Sequence, residues 1–362
     1  MNDALLELVE AALRSYGEPH LGCDLYSAGA VRSLRVDQGR VDLAIELGFP
    51  AKSQIIALTS ALQERLAAVP GVKEVSVQIG YRCLPHRVQA GQAPLPGVKN
   101  VLAIASGKGG VGKSTVAVNL ALALAQEGAQ VGILDADIYG PSLPRMLGIS
   151  GPPTVEGQAI EPQRAFGLQA MSIGLLVEED TPVIWRGPMA TSALEQLLRQ
   201  TRWQDLDYLI VDLPPGTGDI HLTLVQRIPV AGAVIVTTPQ PIAWLDAMKG
   251  LRMFEKVKVP VLGIVENMSV YRCPQCGHQE AIFGQGGGEE LAQKSGVPLL
   301  GKLPLDLRVR EGADLGQPIV VADPESALAQ TYAEIARRMA ARLALQPKDL
   351  AGKFPKFVVE GT

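Results

Sequence analysis

The spacing of apolar residues over the first 83 positions predicts a small α+β module. Two segments carry apolar residues at helical spacing, and three carry them in the short runs typical of strands. In chain order these are a helix at 2–15, strands at 31–36 and 40–47, a helix at 53–68 and a strand at 72–79. The Asp37-Gln38-Gly39 turn joins the first two strands. We therefore expect residues 1–83 to form an αββαβ domain.

A second, larger pattern begins after a proline-rich stretch. Residues 84–98 hold Pro85, Pro94 and Pro96 with two glycines and predict a linker. Beyond it strand and helix patterns alternate, with strands at 99–105, 130–135, 208–213, 231–238, 259–266 and 298–303. The strand at 231–238 is apolar without alternation, which is typical of a parallel sheet covered by helices on both faces. The sequence predicts an α/β domain over 99–345, with a terminal helix at 326–345 and a partly ordered tail at 346–362.

Composition and charge narrow the class of protein. Of the 362 residues 47% are hydrophobic and 19% charged, and the net charge of −4 does not suggest a basic face for nucleic acid. No apolar run approaches the ~20 residues of a membrane span, and the N-terminus lacks the basic start of a signal peptide. Four cysteines in a chain of this length do not make a disulfide scaffold. We expect a cytoplasmic protein without nucleic-acid or membrane partners.

The most specific motif is GKGGVGKST at residues 107–115. It satisfies the phosphate-binding pattern G-x-x-x-x-G-K-[ST], and it lies between a buried strand pattern and a helix pattern. Glycines let backbone N–H groups converge on an anion, and the dipole of the following helix adds to the attraction. Lys113 is predicted to reach the β- and γ-phosphates and Ser114 to ligate Mg²⁺. The predicted nucleotide-binding residues are Gly107, Lys108, Gly109, Gly110, Val111, Gly112, Lys113, Ser114 and Thr115.

Acidic residues close two of the predicted strands. Asp135 and Asp137 end the strand at 130–135, and Asp212 ends the strand at 208–213. An acid at the tip of a buried strand beside a phosphate loop is a common partner of Mg²⁺, directly or through water. The loop at 214–219 (PPGTGD) is suited to sense the γ-phosphate and to change shape on hydrolysis.

A pair of cysteines suggests a metal centre. Cys273 and Cys276 lie in the segment CPQCGH, whose tight turn aims both sulfurs at one side. Zinc and [4Fe–4S] both need four ligands, so the segment is half a site. Cys23 and Cys83 are interpreted as small buried hydrophobes, and His278 as an exposed turn residue that could supply a third ligand. Two copies of the pair that meet at a two-fold axis would make a four-sulfur site.

The phosphate loop with its extra lysine, the LDADIYGPS segment at 134–142 and the DLPPGTGD segment at 212–219 resemble the deviant P-loop ATPases related to MinD and ParA. Within that superfamily the chain is most similar to the Mrp/ApbC family of iron–sulfur cluster carriers. Residues 1–83 resemble the small MIP18-like module found with such carriers. The resemblance implies the P-loop NTPase fold, ATP and Mg²⁺ as cofactors, and a homodimer with a bridging [4Fe–4S] cluster at Cys273 and Cys276. The cluster would pass from an assembly scaffold to apo iron–sulfur proteins.

The same resemblance implies roles for single residues. Lys108 would reach the nucleotide of the other subunit and stabilise developing phosphate charge, and Asp137 would orient the attacking water. Asp135 would support Mg²⁺ and its waters, and Asp212 would hold Mg²⁺ through water. Asn267 matches the adenine-contacting position of the family, although a capping or turn role explains it nearly as well.

Three hypotheses of function therefore stand side by side. The first is an ATP-dependent iron–sulfur carrier. The second is a MinD/ParA-like positioning ATPase in which Cys273 and Cys276 form a structural zinc clasp; it would need a basic tail or patch for membrane or DNA. The third is a reductase like the nitrogenase iron protein, a poor match because that group takes its two cysteines from separate loops. A metallochaperone for another metal also stays open.

Overall fold

The computed structural model describes residues 2–176 and 187–349. The helices are α1 (Asn2–Arg14), α2 (Ile55–Ala67), α3 (Lys113–Gln126), α4 (Leu143–Leu147), α5 (Gly187–Gln200), α6 (Asp219–Arg227), α7 (Pro241–Lys256), α8 (Gly287–Ser295), α9 (Leu307–Asp314), α10 (Ile319–Ala322) and α11 (Ala327–Ala344). The strands are β1 (Gly17–Glu18), β2 (Cys23–Asp24), β3 (Val31–Asp37), β4 (Arg40–Leu47), β5 (Glu74–Tyr81), β6 (Val98–Ser106), β7 (Val131–Asp135), β8 (Val155–Glu156), β9 (Ala159–Ile160), β10 (Gln163–Ala165), β11 (Leu168–Ser172), β12 (Leu206–Asp212), β13 (Val230–Thr237), β14 (Val261–Glu266), β15 (Tyr271–Arg272), β16 (Gln279–Glu280) and β17 (Leu299–Lys302).

The N-terminal domain has the predicted α+β architecture. Strands β3 and β4 pair antiparallel around the turn at Gln38 and Gly39, and β5 pairs parallel to β4. Helix α2 makes the crossover between the two parallel strands and buries Leu58, Leu62 and Leu66 against the sheet. The short β1–β2 ladder is an addition that the hydrophobic pattern did not predict, because two-residue strands leave no periodic signal.

An eight-stranded sheet forms the centre of the second domain, in the order β10–β11–β7–β12–β6–β13–β14–β17. Its neighbours pair parallel except for the edge strand β10, which pairs antiparallel with β11. The middle strands are buried on both faces, as the apolar run of β13 predicted. The α/β fold is thus confirmed, while β10 and β11 are strands that the sequence interpretation did not include.

The parallel order brings the predicted site residues to one edge of the sheet. The phosphate loop follows β6, and the neighbouring strands β12 and β7 end in Asp212 and Asp135. Asn267 follows β14, two places along on the other side of β6. Carboxyl ends of parallel strands meet at the same edge, so residues far apart in sequence surround one cavity.

A buried ion pair of the α/β domain lies where that domain meets the small domain. Arg337 on α11 and Glu127 at the end of α3 are 5% and 3% exposed, and Arg337 Nη1 donates to Glu127 Oε1 at 2.5 Å. The same carboxylate accepts hydrogen bonds from the backbone N–H (3.0 Å) and the hydroxyl (2.7 Å) of Ser53 in the small domain. Ser53 thus joins the small domain to a buried charged pair of the α/β domain. Its bonds help to satisfy a carboxylate that would be costly to bury without partners.

His20 extends the same junction. Its Nδ1 lies 2.8 Å from Glu18 Oε1, and its Nε2 lies 2.9 Å from Glu334 Oε2 on α11. Burial alone lowers the pKa of His20, but hydrogen bonds to the two carboxylates outweigh it and raise the pKa to about 9. The bond with His20 in turn holds the pKa of Glu334 down, at about 2. His20 therefore bridges the small domain and α11, and Arg337 Nε lies 3.1 Å from the same Nε2.

The predicted linker is tied to the α/β domain. Gln89 is 9% exposed; its amide donates to the carbonyls of Val225 (2.8 Å) and Ile228 (2.9 Å), and its oxygen accepts from Val230 N–H (2.9 Å). Strand β6 starts at Val98, inside the predicted linker, and the division of the chain at residues 83, 98 and 345 stays a prediction. Of the predicted tail, 346–349 lie beside the linker and 350–362 lie outside the described residues.

Candidate functional site

The loop at 107–115 has the geometry of an anion cradle. Gly110 and Gly112 both have φ of +80°, a region that favours glycine, and Gly112 is the N-cap residue directly before α3. A cavity of about 220 Å³ opens above the loop. Its lining is Ser106, Lys108, Gly109, Gly110, Val111, Gly112, Lys113, Ser114, Thr115, Asp137, Ser142, Met146 and Pro215. Gly107 lies beneath, packed so tightly against the Asp246 backbone of α7 that a side chain would overlap it.

Lys113 lies at the base of the cavity in a buried ion pair. Its Nζ donates to Asp212 Oδ1 at 2.5 Å and to Ser114 Oγ at 3.2 Å, and Asp212 has no exposed surface. Burial raises the pKa of Asp212, and the adjacent Lys113 opposes the shift. Asp212 Oδ2 is buried and has no hydrogen-bond partner within the described ranges. A carboxylate oxygen with spare capacity beside Ser114 fits a hydrated Mg²⁺.

The carboxylate of Asp135 binds the neighbouring loop that runs from residue 137 to residue 143. Its Oδ1 accepts from Asp137 N–H at 3.1 Å, and its Oδ2 accepts from the N–H groups of Ser142 (3.0 Å) and Leu143 (3.1 Å) and from Ser172 Oγ (3.1 Å). Burial, with the nearby Asp212 charge, raises the pKa of Asp135 to about 7. The carboxylate thus fixes the loop that carries Asp137, an organising role that the predicted support of Mg²⁺ did not include. Its partners Ser142 and Ser172 were not predicted, although Ser142 comes directly before a proline-containing helix start.

Asp137 is the acid that faces the cavity. It is half-buried, and that burial raises the pKa of its carboxyl, with Lys113 acting in the opposite direction. Its position between the phosphate loop and the 214–219 loop suits a group that orients water. Pro215 closes the cavity on the other side, and Gly216 N–H donates to Ser106 O at 3.0 Å.

Asn267 supports the phosphate loop from below. Its side-chain N–H donates to Val111 O at 2.9 Å, and the residue is 8% exposed. A side chain on Gly112 would overlap the Asn267 amide, so the two residues are in direct packing contact. Asn267 does not line the cavity described above. The structure gives it a contact with the loop that neither the adenine role nor the capping role foresaw, and the adenine contact stays a prediction.

The cysteine pair lies at the tip of a small hairpin. Strands β15 and β16 pair antiparallel, Cys273 N–H donates to His278 O at 2.8 Å, and Gly277 turns the chain with φ of +73°. Hydrogen bonds from the backbone N–H groups of Cys276 and Gln275 lower the pKa of the Cys273 thiol. Cys276 is exposed and Cys273 half-buried. The hairpin therefore presents two thiols near the surface.

The two other cysteines and His278 do not join this pair. Cys83 is buried, and burial raises its pKa to about 12. Cys23 is half-buried in the small domain, and the His278 side chain is exposed. Within residues 2–176 and 187–349, no group of three or more His, Cys, Asp or Glu side chains is arranged to hold a metal ion.

Comparison with known proteins identifies the family. Residues 97–340 match the family model described as NUBPL iron-transfer P-loop NTPase, and residues 6–79 match that described as iron–sulfur cluster assembly protein. The chain belongs to the NUBPL iron-transfer P-loop NTPase family. This confirms the resemblance drawn from the three phosphate-site segments and from the small N-terminal module.

Relatives of this P-loop NTPase carry matching names. The iron–sulfur cluster carrier protein of Haemophilus influenzae is 50% identical over 339 residues, which are 92% of this chain and 91% of that protein. A nucleotide-binding protein of Archaeoglobus fulgidus, solved in complex with ADP, is 39% identical with a TM-score of 0.56 and covers 63% of this chain and 90% of its own. The cell division ATPase MinD of Pyrococcus furiosus, at 24% identity and a TM-score of 0.51 over 66% of this chain and 97% of its own, shows the shared fold alone. Among the described helices, none combines the length and apolarity needed to cross a membrane.

Proposed function

We propose that the protein is an ATP-hydrolysing iron–sulfur cluster carrier. It holds a [4Fe–4S] cluster as cargo between the Cys273–Cys276 hairpins of two subunits and transfers it to apo iron–sulfur proteins. The observation that carries the proposal is the presence of a nucleotide cavity and a two-thiol hairpin in segments that follow β6 and β14, two strands of one sheet with only β13 between them. The names of the relatives support the same assignment.

Binding of ATP rests on the loop and its two lysines. The N–H groups of the loop and the N-terminus of α3 attract the phosphates, and Lys113 exchanges part of its contact with Asp212 for the β- and γ-phosphates. Ser114 and the open oxygen of Asp212 would hold Mg²⁺, which neutralises charge on those phosphates when bound. Asp135 keeps the loop in place so that Asp137 can orient the attacking water.

Lys108 is assigned to the nucleotide of the other subunit. It lines the cavity, and no carboxylate of the described residues lies within ion-pair distance of it, whereas Lys113 is paired. A cation that is not neutralised in its own subunit is available to stabilise charge that develops on a transferred phosphoryl group.

Exposed apolar side chains support the proposal that a second copy of the chain binds the sheet edge that carries the phosphate loop. Tyr139 is 60% exposed, Ile242 65% and Ile282 53%. They lie in segments that follow the carboxyl ends of β7, β13 and β14, on the edge that carries the phosphate loop and the hairpin. A two-fold contact there would cover these side chains and bring together two Cys273–Cys276 pairs, which completes four sulfur ligands.

The test is anaerobic reconstitution with iron and sulfide. We expect about four iron and four sulfide per dimer with a broad band near 400 nm, and then transfer to an apo-ferredoxin. Cys273→Ala/Cys276→Ala should take up none, whereas Cys23→Ala, the matched control in the small domain, should load like the wild type. Stoichiometric zinc without a chromophore would overturn the carrier assignment and leave the hairpin as a structural clasp. Unchanged loading of the double variant would overturn it equally.

A further inference from the structure

A six-residue segment connects the nucleotide loop to the cysteine hairpin within one subunit. Residues 267–272, here called the tether, begin at the end of β14 and run directly into Cys273. One end touches the phosphate loop and the other end is the first arm of the hairpin. A displacement of the loop would therefore either deform the tether or move the hairpin.

The loop end of the tether is held by two bonds and by packing. Asn267 N–H donates to Thr237 O at 2.8 Å, which fixes its backbone to β13, while its side-chain N–H donates to Val111 O at 2.9 Å. The position a Cβ would take on Gly112 lies against the Asn267 amide and 3.7 Å from Met268 Cε. The backbone that would surround the phosphates therefore rests on the first two side chains of the tether.

The hairpin end of the tether is bonded residue by residue. Ser269 N–H and Oγ both donate to Leu303 O, at 2.9 and 3.0 Å. Leu305 N–H donates to Val270 O at 2.8 Å, and Tyr271 forms an isolated parallel bridge with Leu305. A segment this short, with bonds at 267, 269, 270 and 271, has little slack.

Met268 is the strained joint between the two ends. Its φ of +57° places a non-glycine residue in the left-handed region, which costs about 1 kcal/mol and is retained where packing over-determines it. A change at Asn267 alters the packing that holds this joint, and the joint sets the direction in which the hairpin leaves β14. Packed contacts of this kind switch between discrete arrangements more readily than they deform.

We propose that Asn267 is a positioning residue that couples nucleotide binding at Val111 and Gly112 to the geometry of the Cys273–Cys276 pair in the same subunit. Phosphates that draw on the loop N–H groups shift Val111, and Asn267 passes the shift along the tether to the hairpin. By reciprocity, a ligand on the thiols changes nucleotide affinity by the same factor. The proposal deepens the proposed function, on which its biological meaning rests.

The test is the rate at which N-ethylmaleimide modifies the hairpin thiols of the apoprotein, with modified peptides identified by mass. With saturating Mg·ADP, we expect the wild-type rate to change at least about fivefold. In Asn267→Ala, the ratio of the alkylation rates with and without saturating Mg·ADP should be near one. If Asn267 only contacted adenine, its substitution would raise the nucleotide concentration needed for saturation and leave the ratio of rates at saturation unchanged.

Asn119→Ala is the matched control. Asn119 is also a buried asparagine, and it lies on α3 itself, away from the tether. Its amide donates to Thr115 O at 2.9 Å, and its oxygen accepts from Val320 N–H at 3.3 Å. It should keep the wild-type ratio. Loss of the ratio in Asn119→Ala, its retention in Asn267→Ala, or the lack of any nucleotide effect in the wild type would each overturn the proposal.

Met268→Gly provides a variant that the backbone favours. Glycine adopts positive φ freely, so this variant should fold and bind nucleotide while the looser joint lowers the alkylation ratio. An unchanged ratio would count against the tether as the route. Cluster loading is measured in a separate experiment. If the alkylation rate depends on nucleotide but the protein takes up no cluster, the carrier function is refuted and the coupling stands.

Discussion

The buried pair between Arg337 and Glu127 leads to a quantitative prediction about how the domains are held together. Arg337→Met keeps most of the side-chain volume and removes the charge. It deletes hydrogen bonds to Glu127 (2.5 Å), Glu334 (3.0 Å), His20 (3.1 Å) and Ser53 (3.3 Å). It also leaves the 3%-exposed Glu127 carboxylate without its cation. Removing one partner of a buried pair costs about 3–5 kcal/mol.

The assay is urea unfolding at pH 7 followed by circular dichroism, with trypsin cleavage near residues 84–97 as a probe of domain separation. With a slope of about 3 kcal/mol per molar urea, the midpoint should fall by about 1–2 M. The control is Arg202→Met, since the side chain of Arg202 is 50% exposed although it pairs with Glu161 at 2.7 Å. An exposed pair is worth about 0–1 kcal/mol, so this variant should barely differ from the wild type.

The double variant Arg337→Met/Glu127→Leu distinguishes two causes of destabilisation. One is the loss of attraction between the two charges, and the other is the burial of a carboxylate without its cation. If the cost comes from an uncompensated buried carboxylate, replacing that carboxylate should recover most of the stability. Equal losses in Arg337→Met and Arg202→Met, or no recovery in the double variant, would refute the view that the buried pair holds the junction.

Other consequences of the site and the junction can be measured with standard assays. Lys113→Ala should abolish ATP binding in calorimetry and lower the urea midpoint, because Asp212 stays buried without its cation. Lys108→Ala should keep ATP affinity and lose about 10³-fold in phosphate release, and equal turnover would contradict a trans-acting lysine. Protonation of His20, whose pKa is raised to about 9, contributes stability that is fully present below about pH 6.5 and is lost as pH rises through 9. Ionisation of Glu334, whose pKa is held at about 2, contributes stability that is fully present above about pH 4.5 and is lost as pH falls through 2. The free energy of unfolding should therefore drop by up to about 3 kcal/mol between pH 6.5 and 9.5, and His20→Asn should flatten that slope.

The architecture could largely be predicted because its signals are local. The phosphate motif, the apolar run of β13 and the helical spacing of α2 each specify an element without long-range information. Strand β11 was not predicted, because a segment of five residues carries too little periodicity to distinguish a strand from a loop. Its place in the sheet depends on pairing with β7, which is a tertiary contact.

The site shows the same limit at the level of side chains. The phosphate motif specified Lys113, and the strand patterns specified the acids at the strand ends. No spacing rule predicts that Asp135 accepts hydrogen bonds from Ser142 and Ser172 while Asp212 keeps one oxygen without a partner among the described residues. The role of Asn267 depends on β13 and β14 lying beside β6, so it follows from strand order. Roles set by sequence-distant contacts become visible only in the folded chain.

Helix α3 acts as a spacer of fixed length between the two functional regions of the subunit. Its first residue, Lys113, lines the cavity, and Glu127, directly after its last residue, is bonded to the small domain. Fourteen residues at a rise of about 1.5 Å each give a separation of roughly 20 Å. A small molecule bound where Glu127 meets the small domain would therefore leave the phosphates of that subunit accessible to solvent. Occupancy of one region and turnover at the other would be sterically independent, so inhibitors aimed at each would act without competing.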